Sequence, residues 1–478
     1  MEHIDVVIVG AGLSGIGAAC QLSMACQQKT FAIFEGRETL GGTWDLFRYP
    51  GVRSDSDMYT LGYRFRPWRD AKAIADGPAI LNYIRDTAAE FQVDKKIRYG
   101  HRVIQASWSS DNALWTLKTQ TKDGEEQFTC NFLFLCTGYY DYENGYTPEW
   151  PGVKDFRGRL VHPQKWPEDL DYSGKRVVVI GSGATAITLV PAMAETAEHV
   201  TMLQRSPTYV MTLPSEDRVA NLFRRLLPEG VSYVLTRWKN VMLQMFFYVL
   251  SRKRPQTMKR LLDKGVRREL GDAYDAKHFA PSYNPWDQRL CLVPDSDLFK
   301  VIREGAASIV TDEIEAFTET GVRLKSGEQL DADIIVTATG LNLKLMAGLQ
   351  LIVDGEPVDM SRTIAYKGMM YSDVPNLASA FGYTNASWTL KCDLTSEYVC
   401  RLLNYMDEHG YSSCTARLKD PSVVKEPVLD FTSGYVLRAL HTLPSQGSKQ
   451  PWRLHQNYIK DLSMLRYGKV NDGTMEFR

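Results

Sequence analysis

Apolar and polar positions along this chain fall into one scheme that occurs twice. Val6-Val7-Ile8-Val9 is an unbroken apolar run of the length of a buried strand, and Val177-Val178-Val179-Ile180 is another. Each run meets glycines and then a stretch with helical spacing, residues 13–26 in the first copy. A second short strand follows each helix: Phe31-Ala32-Ile33-Phe34, and later Val200-Thr201-Met202-Leu203. The period then changes to two. Residues 103–108, 114–118 and 127–129 alternate, broken at Ser110-Asp111-Asn112 and Lys122-Asp123-Gly124, which predicts an antiparallel meander. A matching meander is expected around 308–330. Each copy closes on a buried strand ending at a glycine, over 133–138 and 334–340.

Between strand and helix stand Gly10-Ala11-Gly12-Leu13-Ser14-Gly15 and Gly181-Ser182-Gly183-Ala184-Thr185-Ala186. A loop of this kind rests a nucleotide pyrophosphate on a helix N-terminus, where backbone N–H groups and the helix dipole favour negative charge. Two such loops imply two nucleotides held at once, with electrons passing between them. Glu35 ends the second strand of the first copy, where a carboxylate accepts both ribose hydroxyl hydrogens and repels a 2′-phosphate. That choice suits FAD. The second copy offers Gln204-Arg205-Ser206 instead, a cation and a hydroxyl that select the 2′-phosphate of NADPH. The alternative for Arg205 is a solvated surface arginine. Gly10, Gly12, Gly15 and Glu35 are thus FAD contacts. Gly181, Ser182, Gly183, Thr185, Ala186, Arg205 and Ser206 are NADP contacts, with Ala186 replacing the third glycine.

The repeat predicts an α/β fold of two Rossmann-like dinucleotide-binding domains, the second inserted into the first. Pro148, Pro151 and Gly152 punctuate the linker. The expected boundaries are 1–145 for the first part of the FAD domain, 146–340 for the NADP domain and 341–478 for the returning part. In the tail, Val399, Leu402, Leu403 and Met406 predict a helix starting at Thr395 or Ser396 and ending at Gly410, packed on the first domain. A helical insertion is expected over 215–280. Within 215–268, thirteen Lys and Arg face four Asp and Glu, interleaved with Trp238, Met242, Leu243 and the run Met245–Tyr248. It reads as a cover for the second domain, or as an amphipathic surface for a membrane or another subunit.

The 478 residues exceed what one core serves, and a net charge of −1 argues against a nucleic-acid partner. Eight cysteines without C-x-x-C spacing read as reduced core thiols of a cytoplasmic protein, peripheral membrane association being the option left by 215–268. Four residues before the first strand leave no room for a signal peptide, no apolar run has the length of a membrane span, and no metal site is read.

Phe156-Arg-Gly158-Arg-Leu-Val-His162-Pro-Gln-Lys-Trp166-Pro167 has the form F-x-G-x-x-x-H-x-x-x-W-P. It resembles the signature of Baeyer–Villiger monooxygenases, the class B flavoprotein monooxygenases. Gly41-Gly42-Thr43-Trp44-Asp45 and Arg48-Tyr49-Pro50-Gly51-Val52-Arg53-Ser54-Asp55 resemble the flavin-cradling segment of that family. The resemblance covers the whole chain and is nearest to the ethionamide-activating branch, through Asn284–Arg289 and Tyr383–Trp388. It adds Gly42, Thr43, Trp44, Asp55 and Tyr59 to the FAD contacts, and Asn385 and Trp388 to the substrate pocket. Flavin disulfide reductases share the two-nucleotide plan but place a redox cysteine pair where this chain has Trp44 and Arg48.

By that resemblance, NADPH reduces the flavin, O2 adds to form a C4a-peroxyflavin, and one oxygen atom passes to a small-molecule ketone or sulfide, giving an ester, lactone or sulfoxide. Arg289 is the catalytic cation and Asp55 the carboxylate that holds it; an interdomain salt bridge is the plainer role for Arg289. Relatives often carry a lysine before this arginine, where the chain has Gln288, leaving more of the NADPH selectivity to Arg205. His162 and Trp166 are expected as packing partners at a domain seam. Two rivals stay open: a flavin monooxygenase restricted to S- and N-oxygenation, and a flavin/NADP redox sensor without turnover.

Overall fold

The computed structural model describes residues 1–288, 290–428 and 433–478. The first nucleotide unit opens with strand β1 (Glu2–Val9), helix α1 (Leu13–Ala25) and strand β2 (Phe31–Phe34). Short helices α2 (Thr43–Leu46) and α3 (Met58–Leu61), the longer α4 (Gly77–Glu90) and strand β3 (Ile97–Arg98) follow. β1 pairs in parallel with β2, and β2 with β3. The meander consists of β4 (Arg102–Ser109), β5 (Leu114–Thr121) and β6 (Gly124–Leu135).

Alternation predicts two separate strands at 127–129 and from 133; the structure joins them into one. β6 pairs antiparallel with β5 as far as Cys130 and parallel with β1 from Phe128 to Leu135. The pattern changes from alternating to continuous because the strand runs from an exposed edge into the centre of the sheet. There Val6 and Ile8 face the helices, while Val7 and Val9 face Trp115 and Leu117. All four aliphatic side chains are buried, which makes the centre apolar on both faces.

β7 (Tyr140–Gly145) leads out of this sheet. The second unit holds β8 (Arg159–Val161), β9 (Arg176–Ile180), α5 (Ala184–Met193), β10 (His199–Gln204) and β11 (Val210–Leu213). Helices α6 (Arg218–Leu226), α7 (Glu229–Lys253), α8 (Pro255–Leu270) and α9 (Ala276–Phe279) come next, then β12 (Cys291–Pro294), α10 (Asp297–Arg303) and β13 (Ala307–Thr311). A small meander, β14 (Ile314–Thr318), β15 (Gly321–Leu324) and β16 (Gln329–Asp331), precedes β17 (Ile334–Thr337). The parallel sheet has the order β13-β10-β9-β17-β8. Residues 308–311, expected in the meander, thus belong to the parallel sheet: they follow a helix and extend it beyond β10.

The chain returns through β18 (Leu341–Leu343), which pairs antiparallel with β7, Leu341 opposite Gly145. The two crossings between the units therefore lie side by side as a ribbon. β19 (Gln350–Val353) then joins β4, with β20 (Glu356–Pro357) outside it, and strand Leu377–Ser379 pairs with the end of β6. Helix α11 (Trp388–His409) lies along α1.

Two expectations need correction. The tail helix starts at Trp388, two turns before Thr395 and Ser396, which are buried within it. Ser396 Oγ donates to the carbonyl of Cys392 at 3.0 Å, the back-bond available to a serine inside a helix, where it caps nothing. Gly410 does end the helix, at φ 70°. The insertion covers more than the second unit: Ala220, Tyr233 and Val241 enter the core of the first, whereas Val266 and Leu270 enter that of the second.

Candidate active site

Both glycine loops make the same turn. Gly10 has φ 104°, and a Cβ there would lie 2.6 Å from the carbonyl oxygen of Cys136, just past β6. Gly181 has φ 134°, and its Cβ would lie 2.3 Å from the carbonyl oxygen of Ala338, just past β17. Each loop crosses the end of its closing strand so closely that only a bare backbone passes. At the third position the copies differ. A Cβ on Gly15 would sit 1.8 Å from the carbonyl oxygen of Gly10, while the second turn accommodates the buried methyl of Ala186.

A cavity of about 1030 Å³ runs from the first loop to the start of α5. Gly10, Gly12, Glu35, Gly42, Thr43, Trp44 and Asp55 line it, as do Ala184 and Thr185 of the second unit and Asn385 and Trp388 of the tail. Glu35 is 8% exposed. Its two oxygens accept the N–H groups of Ala11 at 2.8 Å and Arg37 at 2.9 Å, leaving lone pairs for a ligand; burial raises its carboxyl above the ordinary value. Behind the wall, Asp45 is buried and bonded to Arg37 at 2.7 Å and Thr39 at 2.6 Å, which fixes the turn carrying Gly42 and Thr43. Trp388 donates Nε1–H to Ser14 Oγ at 2.9 Å and stacks on Tyr139, so the tail is tied to the first nucleotide helix. Asn385 donates to the carbonyl of Gln456 at 3.0 Å, and its buried Oδ1 has no protein partner.

The segment 48–55 is where the two units meet. Tyr49 is buried in the core of the second unit, and burial pushes its hydroxyl up to about 12. Gly51 has φ 75° and lies so close to α5 that a Cβ would meet Ala192 at 2.8 Å and the carbonyl oxygen of Thr188 at 2.9 Å. Arg53 pairs with Asp297 at the start of α10. Arg289, assigned the catalytic cation from sequence, lies outside the described residues; Asp55 is on the cavity wall.

Gly181, Ser182 and Gly183 lead into the other end, immediately before the wall residues Ala184 and Thr185. Ser182 Oγ bonds Thr208 Oγ1 at 2.9 Å and the carbonyl of Ser206 at 3.2 Å, which brings the glycine loop and the end of β10 together. Arg205 and Ser206 are exposed beside them. A Cβ on Gly183 would meet nothing within 4 Å, so the space above it is open to a ligand. Bare backbone at both helix starts, a carboxylate at one strand end, a guanidinium at the other and an unpartnered amide oxygen in the wall between them fit FAD and a nicotinamide dinucleotide.

The flavin-binding monooxygenase-like family model matches residues 70–347, and an NAD(P)-binding Rossmann-like domain matches 8–72. This chain belongs to the flavin-binding monooxygenase-like family. It is 55% identical over 478 residues to the FAD-containing monooxygenase EthA of Mycobacterium tuberculosis, covering 100% of the chain and 98% of the relative. The EthA of Mycolicibacterium smegmatis is 53% identical over 478 residues, covering 100% of this chain and 97% of the relative. Among solved structures, a steroid monooxygenase bound to NADP has a TM-score of 0.78 at 24% identity, with 99% of each chain covered. A cyclohexanone monooxygenase bound to ε-caprolactone has a TM-score of 0.75 at 19% identity, with 100% of each covered. These two likenesses show the fold.

In this monooxygenase Phe156, Gly158 and Trp166 pack on the second unit, and His162 lies on the ribbon that joins the two units. Phe156 packs on Phe317, and a Cβ on Gly158 would meet the carbonyl oxygen of Asp333 at 2.4 Å, which seats β8 on the edge of the second sheet. His162 sits over the β7–β18 ribbon, its ring where a Cβ on Gly145 would lie, 2.0 Å away. Its Nδ1 accepts the N–H of Gln164 at 3.2 Å, its Nε2 is buried without a side-chain partner, and burial lowers its pKa. Trp166 packs against the second core, and Pro167 opens the turn that follows. Tyr59, assigned to FAD, is turned the other way: its hydroxyl meets Arg224 and its carbonyl accepts Arg237 at 2.8 Å, so it faces α6 and α7 and is not part of the cavity wall.

Sequence reasoning missed a polar cluster in that wall. Asp57 caps α3 and accepts Asn240 at 2.9 Å and Gln244 at 2.8 Å from α7, and burial raises its carboxyl. An Asp two residues past the family segment signals a cap. Nothing local signals partners more than 180 residues later.

Proposed function

We propose that this chain is an NADPH- and O2-consuming FAD monooxygenase that converts ketones to esters or lactones and sulfides to sulfoxides. The observation that carries the reading is the cavity shared by the two nucleotide units, with Gly12 and Glu35 at one end and Thr185 at the other. Bound flavin and nicotinamide together supply hydride transfer, oxygen activation and delivery of one oxygen atom.

The residues divide that work. Glu35 takes the ribose hydroxyls, and the N–H groups of the first loop take the pyrophosphate. Arg205 and Ser206 take the 2′-phosphate and so favour NADPH over NADH. Trp44, Phe47, Tyr139 and Trp388 line the cavity with aromatic surface and keep water from the reacting oxygen. Arg289 supplies a permanent cation for negative charge on activated oxygen, with Asp55 as its anchor. Asn385 and Trp388 meet the small-molecule substrate.

Aerobic incubation with NADPH and a mixed panel of cyclic ketones, aryl ketones and thioethers, read by mass, tests the proposal. Lactone or ester supports it. Sulfoxide alone restricts the enzyme to soft nucleophiles. No product, with NADPH use indifferent to substrate, leaves a redox sensor. Arg289→Ala is expected to keep yellow flavin and hydride transfer while losing oxygenated product.

A further inference from the structure

We propose that the outer face of α7, together with the exposed side of α6, docks on the surface of an anionic lipid bilayer. Helix α7 is inverted. Val231, Leu235, Trp238, Met242, Phe246 and Val249 follow one another at spacings of three and four, which places them on one face, and every one of them is exposed. Phe246 is 60% exposed and Met242 50%. The opposite face is buried and largely polar, with Tyr233 and Val241 as its apolar contacts to the first unit. Arg237, 6% exposed, donates to the carbonyls of Tyr59 at 2.8 Å and Gly62 at 2.9 Å and pairs with Asp393 at 3.3 Å. Asn240 and Gln244 bond Asp57. A helix on a protein surface ordinarily turns its apolar stripe inward. Here the inward face is committed to the first unit through Arg237, Asn240 and Gln244, and the apolar stripe is left for a partner outside. Helix α6, which packs beside α7, adds Val219, Leu222 and Leu226, all exposed, to an apolar surface of the kind that marks an interaction site.

Charge decides the partner. Within 215–268, thirteen basic residues stand against four acidic ones, and the excess persists although Arg237, Lys239, Arg252 and Arg267 are held in ion pairs. Lys253 continues the α7 stripe one step beyond Val249, and Arg218 and Arg225 alternate with Leu222 on the exposed side of α6. An apolar face bordered by cations matches a layer of anionic headgroups above an acyl boundary. A second copy of the chain would bring the same positive border against itself. Among the described residues no helix is long and apolar enough to cross a membrane, so the contact is peripheral. Val219 of the patch lines the cavity, as do Leu243 and Phe247, exposed beside Met242 and Phe246 on α7. An apolar substrate dissolved in the bilayer therefore reaches the cavity without crossing water, a step that rests on the oxygenation reading; the docking does not.

Flotation of the flavin-loaded enzyme with vesicles tests the docking without any turnover, so it and the oxygenation reading fail separately. Co-flotation is expected with phosphatidylcholine–phosphatidylglycerol vesicles, about tenfold or more weaker with phosphatidylcholine alone, and weakened by salt. Trp238→Ser with Phe246→Ser is expected to keep flavin absorbance and melting temperature while partitioning falls about tenfold or more. Arg225→Glu with Lys253→Glu is expected to remove the preference for phosphatidylglycerol. In the unaltered enzyme, brominated lipid quenches tryptophan fluorescence, and Trp238→Phe removes that component. The proposal is overturned by absent co-flotation, or by unchanged partitioning in both double variants. Self-association that the serine variant abolishes, without vesicle binding, also overturns it and assigns the face to a second copy.

Discussion

Gly42 and Gly12 stand back to back. A Cβ on Gly42 would lie 2.9 Å from the Cα of Gly12, and Gly42 also holds φ 57°. One glycine comes from the loop before α1 and the other from the turn before α2, and together they let two stretches of backbone share one wall of the cavity. Gly42→Ala therefore combines left-handed strain of about 1 kcal/mol or more with a clash against main chain. The expected outcome is protein purified with a reduced flavin-to-protein absorbance ratio. Full flavin content would mean that the loops can part.

Gly183 gives the opposite expectation. It has ordinary φ of −79°, and a Cβ there meets no neighbour within 4 Å. Gly183→Ala should leave the melting temperature unchanged and raise the KM for NADPH, because the methyl fills space reserved for the dinucleotide. An unchanged KM would place the pyrophosphate elsewhere.

Arg205→Ala tests which dinucleotide the second unit prefers. One charge-assisted hydrogen bond is worth roughly 1.5–3 kcal/mol, which converts to about ten- to a hundredfold in NADPH KM, with little change for NADH. Equal effects on both would remove the 2′-phosphate from Arg205. Gln288, in place of a lysine, makes the test sharper by leaving Arg205 with more of the discrimination.

What was legible in the chain was local. Strand, glycine turn and helix follow each other within about thirty residues, so the run at 6–9 and the loop at 10–15 announce β1 and α1 directly. The double duty of β6 was hidden, since its two partners are more than a hundred positions apart on one side and adjacent on the other. Thr395 and Ser396 misled because the residues that start helices also back-bond inside them. The insertion misled in a different way. Its apolar pattern is strong, yet the side of α7 that packs on the first unit is largely polar, with only Tyr233 and Val241 entering the core, and periodicity alone reports a stripe without saying which way it faces.

The buried ion pair beneath α7 carries its own prediction. Arg237 and Asp393 are 6% and 4% exposed, and burial raises the Asp393 carboxyl to about 6 despite the guanidinium beside it. Arg237→Leu leaves that carboxylate without its counter-ion, a loss of about 3–5 kcal/mol in urea unfolding. Because a raised folded pKa favours the protonated form in the native state, this carboxyl makes stability fall as pH rises from its ordinary value toward about 6. The variant should therefore be least damaged at pH below about 6 and most damaged above it. A pH-independent loss would show that packing, and not the stranded charge, is what Arg237 provides.

His162 sets the opposite dependence at the seam. Burial against Gly145 holds its imidazole below the ordinary value of 6.5, so the unfolded chain takes up the proton first as pH falls. Stability from the neutral ring is complete above 6.5 and is lost as pH drops toward the lowered folded value. The ring lies on the β7–β18 ribbon, the pair of crossings that connects the two nucleotide units. Protonation there places a charge against the ribbon, with the Lys165 cation nearby opposing it and the backbone at Tyr146 and Gly340 receiving its hydrogens. His162→Asn should therefore flatten the acid limb of a melting-temperature profile, even where it lowers stability at neutral pH. An acid limb of the same slope in the variant would show that other groups govern the seam.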